Sequence, residues 1–510
     1  MALRPLFAVP AMVAGLAVAA AAAVPGLGSA AAFARASLSR GAPAGTPART
    51  APSGLPVLSD GPIPSDAPLP SGAPYPSGLP VPSGVPIPSG TPLPSGASIS
   101  SGAPLPSGVP LPSGPPADAT TYSKSGALFG EFVGDNQPLY PAADPFYLDS
   151  SATGPAEWTS SYLPAMEAWQ AKADDVINLY SSFSQGAELF GYYLPRIWDT
   201  YRAVPMVSLS TDSLSADGQG VTDSAVASGS YDAAITSWAQ QLKAFVYGPG
   251  PDGQPAPTGG RRVYIRLDWE PNGNWSPWSP TAGHPTCAQL ASGEAAFVAM
   301  WRHVHDLVMA AGPFNDTQVA WVYSVNWVSS SVPPGCSPSV SDIVRALYPG
   351  DRYVDWVGVD GYSYADSPAS PPEVLGPMFA ELRSITTRPL AVTEAGAGTE
   401  MLSATAPAQP AAVYEPPAAK GAWIAAFFAY VEASGVRMTL WFNDDKDEDW
   451  SVFSQPDAAD PLSRGDCQFS YQGTTYNAYC QYAAGVRSPY FATPDPSDPR
   501  ILSDSEFLDG

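Results

Sequence analysis

Eight short apolar runs recur between residues 127 and 443: Ala127–Val133, Val176–Phe183, Val204–Leu209, Val263–Glu270, Val319–Asn326, Val354–Gly361, Leu390–Ala395 and Met438–Asn443. Helical patterns separate several of them. In Tyr231–Tyr247, Ile235, Trp238, Ala239, Leu242, Phe245 and Val246 share one face; Gln289–Ala311, Pro372–Ile385 and Lys420–Ala433 read the same way. A nearly continuous apolar strand has no solvent face, so the sheet must be covered on both sides. Strands that alternate with helices make such a sheet parallel. Eight units of this kind predict an α/β fold, a (β/α)8 barrel occupying residues 119–510. A doubly wound open sheet is the alternative, and it lacks the glycine fingerprint expected after a first strand.

The chain ahead of the barrel reads differently. Residues 1–34 carry Arg4, a mostly apolar run from Leu6 to about Val24 and a terminal Ala32-Phe33-Ala34, the pattern of a cleaved signal peptide. An uncleaved membrane anchor is the rival, and both readings place the remainder outside the cytoplasm. Residues 35–118 form a Pro/Ser/Gly-rich linker, in which a hexapeptide P-S-G-x-P-x recurs from Pro52 to Pro116. Hexapeptide periodicity can signal a β-helix, but two prolines in most repeats remove the amide donors that a ladder needs. An extended polyproline-like spacer, able to tether the barrel to a cell surface or wall, is the reading preferred here. A glycosylated stalk or a ligand for a partner domain is its competitor.

Charge narrows the partners. The formal net charge is -24, and the linker between Pro52 and Pro116 contains no Lys or Arg. Nucleic acid is therefore excluded as a partner, since phosphate binding needs clustered cations. A basic membrane-surface role is excluded on the same ground. The four cysteines of an exported chain read as two disulfides. The loops after the fourth and fifth strands would bring Cys287 to Cys336, and Cys467 with Cys480 would close a short local loop worth about 3 kcal/mol in the chain-entropy model.

In a (β/α)8 barrel, chemistry gathers at the C-terminal ends of the strands. The fourth run continues Arg266-Leu267-Asp268-Trp269-Glu270-Pro271-Asn272-Gly273-Asn274-Trp275-Ser276-Pro277-Trp278. Alternation places Arg266, Asp268 and Glu270 on one face, and burying three ionisable groups there calls for pairing, so an Arg266–Asp268 ion pair is expected in the lumen. Glu270 sits nearest the mouth. The seventh run ends in Glu394. Two carboxylates at the ends of strands four and seven are the apparatus of retaining glycoside hydrolysis, one as acid/base and the other as nucleophile.

At these residues the chain resembles glycoside hydrolase family 26, the β-mannanase family of the large clan of (β/α)8 hydrolases. The matching segments are R-L-D-W-E-P-N-G-N-W-S-P-W at 266–278, Y-V-D-W-V-G-V-D-G-Y-S at 353–363, T-E-A-G at 393–396 and W-F-N-D-D-K-D-E-D-W at 441–450. The resemblance implies that Glu270 is the acid/base, Glu394 the nucleophile, Tyr362 a partner of the nucleophile and Trp441 a sugar platform. One departure bears on specificity: the family usually has His immediately before the acid, and this chain has Trp269. Mixed-linkage β-glucan and β-1,3-xylan, which the family also cleaves, therefore stand beside mannan.

Arg266, Trp269, Asn272, Trp275, Trp278, Tyr362 and Trp441 are the candidate substrate-binding residues. Flat rings at strand ends can stack on the apolar faces of pyranoses; Trp327, Tyr364 and Trp450 share that placement. Packing competes with binding for each ring, for Trp441 above all, and least for Trp275 and Trp278. No metal is expected. His303 and His305, two apart on a helix, face different directions, and His284 has no ligand spacing. Asp444, Asp445, Asp447, Glu448 and Asp449 suggest Ca2+ but lack EF-hand spacing, so a solvated loop with Lys446 is preferred. No G-x-S-x-G elbow supports an esterase.

The expectation is a secreted or wall-tethered monomeric endo-β-glycanase, acting on β-1,4-mannan without a cofactor. A carbohydrate-binding module that keeps the barrel but not the reaction is the competing class.

Overall fold

The computed structural model describes residues 126–133, 162–215, 220–250, 253, 255–282, 286–328, 336, 340–403, 406–445, 448–454, 465–492 and 503–510. The signal peptide and linker readings, with His284, Lys446 and Asp447, lie outside these residues.

Eight parallel strands close into a barrel in the order β1-β10-β7-β6-β5-β4-β3-β2. They are β1 (Leu128–Val133), β2 (Val176–Ser182), β3 (Val204–Ser210), β4 (Val263–Leu267), β5 (Val319–Asn326), β6 (Trp356–Ser363), β7 (Leu390–Ala397) and β10 (Met438–Asn443). A β8–β9 hairpin (Glu400–Ser403 and Ala406–Val413) follows β7. A small antiparallel sheet of β11 (Phe453–Ser454), β12 (Cys467–Tyr471) and β13 (Thr474–Ala478) follows β10. The barrel strands are nearly continuous apolar runs because one set of side chains fills the lumen while the other packs beneath helices.

The covering helices are α1 (Tyr162–Gln170), α2 (Asp232–Tyr247), α3 (Cys287–Ala311), α4 (Val340–Leu347), α5 (Pro371–Ile385), α6 (Pro417–Ala433) and α7 (Cys480–Val486). All six apolar residues assigned to one face of α2 are buried. Helix α3 begins in a capping box, with Thr286 accepting from the Gln289 amide and the Gln289 side chain returning to the Thr286 amide. Among the described residues, no helix is long and apolar enough to cross a membrane.

The last helix, α8 (Asp504–Asp509), inserts Phe507 against the barrel, fully buried beside Tyr264 and Trp356. Its carbonyl accepts from Tyr264 Oη at 2.8 Å and from Trp356 Nε1 at 3.1 Å. Burying such a ring stabilises the fold by roughly 1.5–3 kcal/mol, and the two bonds orient it. Two disulfides join Cys287 to Cys336 and Cys467 to Cys480. The first ties the start of α3 to the segment after β5; the second ties β12 to α7.

Candidate active site

Strand β4 ends at Leu267, and the backbone then leaves the extended region: Asp268 has φ +39° and Glu270 φ +54°. Non-glycine residues at positive φ cost on the order of 1–3 kcal/mol each and persist where surrounding bonds overdetermine them. Here the Asp268 amide donates to Leu209 O at 2.9 Å and the Glu270 amide to Ser324 O at 3.1 Å, which holds the kinked segment between β3 and β5. Side-chain alternation therefore stops at Leu267.

That kink removes the expected Arg266–Asp268 ion pair. Asp268 turns to the end of β3, accepting from the Thr211 amide at 2.9 Å and from Thr211 Oγ1 at 2.7 Å. Arg266 remains in the lumen and crosses it, with Nη2 on Glu394 Oε1 and Nη1 3.4 Å from Asp360 Oδ1. Burial alone would pull Arg266 down, but the charges of Asp360 and Glu394 outweigh it, so the guanidinium stays protonated.

Glu394 owes its position to an irregularity in β7. The register with β6 slips by one residue, from Val359↔Val392 to Asp360↔Glu394, so that Thr393 is the extra residue. A bulge of this kind re-aims neighbouring side chains. Thr393 Oγ1 donates to Asp360 Oδ1 at 2.6 Å, and the adjacent Glu394 also reaches the lumen cluster. Gly358 makes room, since a Cβ there would stand 2.6 Å from the Thr393 side chain.

The two carboxyl groups have contrasting surroundings. Glu394 Oε1 accepts from Arg266 and from Tyr180 Oη at 2.5 Å, while Oε2 accepts from Tyr362 Oη at 2.5 Å. Three donors, one cationic, match an ionised carboxylate. Burial and the charge of Glu394 push both phenols well above the usual tyrosine range, so they remain donors. Glu270 accepts from Asn326 Nδ2 at 2.7 Å and from Trp275 Nε1 at 2.9 Å, and among the described residues no cation pairs with it, Arg266 acting only at longer range. Burial, then the charges of Asp360 and Glu394, hold it well above the carboxylate range. Asp360 is itself pushed up to about 7 by burial, with Arg266 opposing.

The proposed aromatic contacts divide. Trp275 is half-buried over Gly273, where a Cβ would meet the indole at 2.4 Å. The missing side chain lets this ring lie close enough to donate to Glu270. Trp269 is buried, its ring 5.1 Å from Tyr180, with the Arg266 guanidinium 5.5 Å over it. Among the described residues its Nε1 has no acceptor. Tyr362 touches the nucleophile candidate directly.

Three candidates prove structural. Trp441 is 1% exposed and faces the helices, edge-on to Trp423, Phe427 and Tyr482, with Nε1 donating to Trp450 O at 3.0 Å. It cannot be a sugar platform there, because alternation on β10 turns its neighbour Phe442 to Tyr180 and Tyr362 and turns Trp441 outward. Trp278 is buried on Trp269 and donates to its carbonyl. Asn272 is buried, donating to the carbonyls of Asn326 and Val328 and accepting from the Asn326 amide, which pins the loop after β4 to the end of β5. Trp450 and Tyr364 are buried together behind Tyr362, and Trp327 is half-buried.

Among the described residues, the acids after β10 are not those of a solvated loop. Asp444, Glu448 and Asp449 are buried; Glu448 accepts from the Ala365 amide, and Asp449 from the amides of Thr399 and Glu400. Lys420, also buried, donates to the carbonyls of Asp449 and Ser451. These carboxylates fasten the segments after β6, β7 and β10 to one another. His303 bonds Asp232 and His305 bonds Asp306. Among the described residues, the one grouping compact enough for a metal, Asp466 with Cys467 and Cys480, is built on a disulfide and offers no thiolate.

Tyr180 and Asp360 were not anticipated as site residues. Tyr180 lies in an apolar run that reads as core, and its only signal was a tyrosine in the second half of a barrel strand. Asp360 was visible inside Trp356-Val357-Gly358-Val359-Asp360, an acid in an otherwise apolar strand.

No family model matches the chain. Among curated proteins, it is similar to endoglucanase H of Acetivibrio thermocellus, 27% identical over 241 residues; the match covers 46% of this chain and 22% of the relative, about a fifth of that protein's length. Among solved structures, it is similar to the catalytic domain of the family 26 endo-β-1,4-mannanase of Bacillus sp. JAMB-750, with 16% identity, 73% of this chain and 88% of the other covered, and a TM-score of 0.46. The modular endo-β-1,4-mannanase of Cellulomonas fimi, described as a family 26 mannanase, is similar at 16% identity, with 76% of each chain covered and a TM-score of 0.45.

Proposed function

We propose that the protein is a retaining β-glycan hydrolase, with Glu270 as acid/base and Glu394 as nucleophile, and that its preferred substrate is β-1,4-mannan cleaved within the chain. The observation that carries this reading is the opposed setting of the two glutamates at one end of the barrel. Glu270 is held protonated by burial and neighbouring negative charge, and Glu394 is ringed by Arg266, Tyr180 and Tyr362. The similarity to an endoglucanase supports the β-glycan class. The resemblance of the strand-four segment to family 26 supports mannan, with mixed-linkage β-glucan and β-1,3-xylan as alternatives.

In the first step Glu270 protonates the glycosidic oxygen as Glu394 attacks the anomeric carbon, giving a glycosyl-enzyme through an oxocarbenium-like transition state. The bond to the leaving oxygen breaks as the carbon–carboxylate bond forms. Glycosylation removes the negative charge of Glu394, so one of the causes that raise Glu270 disappears, and Glu270 becomes more acidic when it must act as a base. It then takes a proton from water as the water oxygen displaces the carboxylate. The chemistry calls for no cofactor. Secretion, tethering through the linker and a monomeric state belong to the same proposal.

One feature favours a second reading. Glu270 is fully buried and Glu394 is 2% exposed, as expected of a carbohydrate-binding module whose former site has closed. Incubation with mannan, mixed-linkage glucan and β-1,3-xylan decides between them. The hydrolase releases oligosaccharides whose first-formed anomer, followed by proton NMR, is β; binding without products leaves the module.

A further inference from the structure

Glu394 is an acceptor with about four lone-pair sites on its two oxygens. Oε1 receives two donors, Arg266 and Tyr180. Among the described residues Oε2 receives only Tyr362. Oε1 is thus fully engaged while Oε2 keeps one site for a bond to carbon. From this asymmetry, and resting on the hydrolase reading above, we infer that Tyr180 is a positioning residue that makes Oε2 the attacking atom and serves chiefly the second half of the reaction.

The geometry supports a dedicated role. Tyr180 is buried in the lumen face of β2, with Phe132 at 5.0 Å and Trp269 at 5.1 Å against its ring and the Arg266 guanidinium 5.7 Å over it. Those contacts fix the ring, so the hydroxyl is delivered to one oxygen of one carboxylate. Burial keeps the phenol protonated, so it can only donate to that oxygen while Glu394 is ionised.

The consequence follows from where charge moves. During glycosylation the C1–Oε2 bond forms, the bond to the leaving oxygen breaks, and the proton of Glu270 passes to that oxygen. Oε1 becomes the carbonyl oxygen of an ester, a weaker acceptor, so the Tyr180 bond weakens on the way up. During deglycosylation water attacks C1, the electron pair of C1–Oε2 returns to the carboxylate, and a water proton passes to Glu270. Negative charge now grows on the carboxylate, and the Tyr180 bond strengthens as the barrier is climbed. Only an interaction that strengthens toward the transition state accelerates a step. Tyr180 therefore speeds release of the sugar and does not speed its capture.

Tyr180→Phe tests this, because it keeps the ring and deletes the donor. With an aryl β-glycoside whose leaving group needs little protonation, deglycosylation limits wild-type turnover. The variant should lose about 10- to 100-fold in kcat, the scale of one charge-assisted hydrogen bond. Its KM should fall by at least as large a factor, and kcat/KM should hold or rise. Intact-mass measurement during turnover should show more glycosyl-enzyme than in the wild type. A structural role would instead misplace Glu394 and lower kcat and kcat/KM together, with no accumulated intermediate; that result in a folded variant overturns the proposal. A wild type inactive on every β-glycoside removes the hydrolase reading, and the proposal with it.

Discussion

Trp275 Nε1 donates to Glu270 Oε2 at 2.9 Å, five residues along the same loop, so a half-buried ring bears directly on the carboxyl to which the hydrolase reading gives the proton-donating role. A donor to a carboxylate favours its charged form, whereas a neighbouring negative charge disfavours it. Trp275 and Asp360 therefore pull Glu270 in opposite directions, and the hydrolase reading makes their removal a matched pair of experiments.

Glu270 must be protonated to start the reaction, so kcat/KM should fall as pH rises through its raised pKa. Asp360→Asn removes a charge that raises Glu270 and should move this alkaline limb to lower pH. Trp275→Phe should move it to higher pH and lower kcat about tenfold through lost orientation. Rate profiles from about pH 4, the ordinary carboxylate range, to about pH 10, the ordinary tyrosine range, check both signs; shifts in the same direction would contradict the assigned environments.

The two glutamates should also respond differently to removal. Glu270→Ala should release a burst of phenol from an activated aryl glycoside and then stall, and azide should restart it with a β-glycosyl azide as product. Azide rescue of Glu394→Ala should give the α anomer, since the anion then fills the space of the missing carboxylate and displaces once. Product NMR distinguishes them, and exchanged anomers would mean exchanged roles.

A second acidic cluster lies away from this site and should make stability depend on pH. Glu131 on β1, Glu167 and Gln170 on α1, and Asp174 before β2 meet where Tyr482 of α7 covers them, with Asp175 adjoining. The neighbouring Lys172 spends its ammonium on the carbonyls of Val486 and Phe491. Burial lifts Glu131 from 4.5 to about 8 and Glu167 from 4.5 to about 7, and lifts Asp174 well above its ordinary range. The folded chain then binds more protons than the unfolded one, so stability should fall as pH rises from about 4.5 to about 8. Glu131→Gln should flatten this slope and stabilise the protein at pH 8 by several kcal/mol, on the order of what so large a displacement implies. Urea unfolding at a series of pH values measures it.

Trp441 offers a contrast between core and site. Trp441→Ala should cost about 3–5 kcal/mol of stability through the cavity left between β10 and α6. The KM of the folded fraction should stay within about twofold, the size of an ordinary remote effect. A large rise in KM at unchanged stability would restore the platform role that burial denies.

How far the sequence could be read depended on the range of the interactions involved. The eight strands and four helices were legible, since each is written in a local period of apolar residues that burial on two sides or one face imposes. Glu270 and Glu394 were legible as strand-end acids. The partner of Arg266 was not, because alternation holds only while the backbone stays extended, and Asp268 and Glu270 have positive φ. Nor could a local pattern reveal that β7 slips against β6 at Asp360, or which face of β10 carries Trp441. The chain by itself determined where strands and helices form and which acids stand at strand ends. Only closure of the barrel decided which of those acids meets Arg266, Tyr180 and Tyr362, because these residues sit on four different strands and their contacts exist once curvature has brought the strands around one lumen.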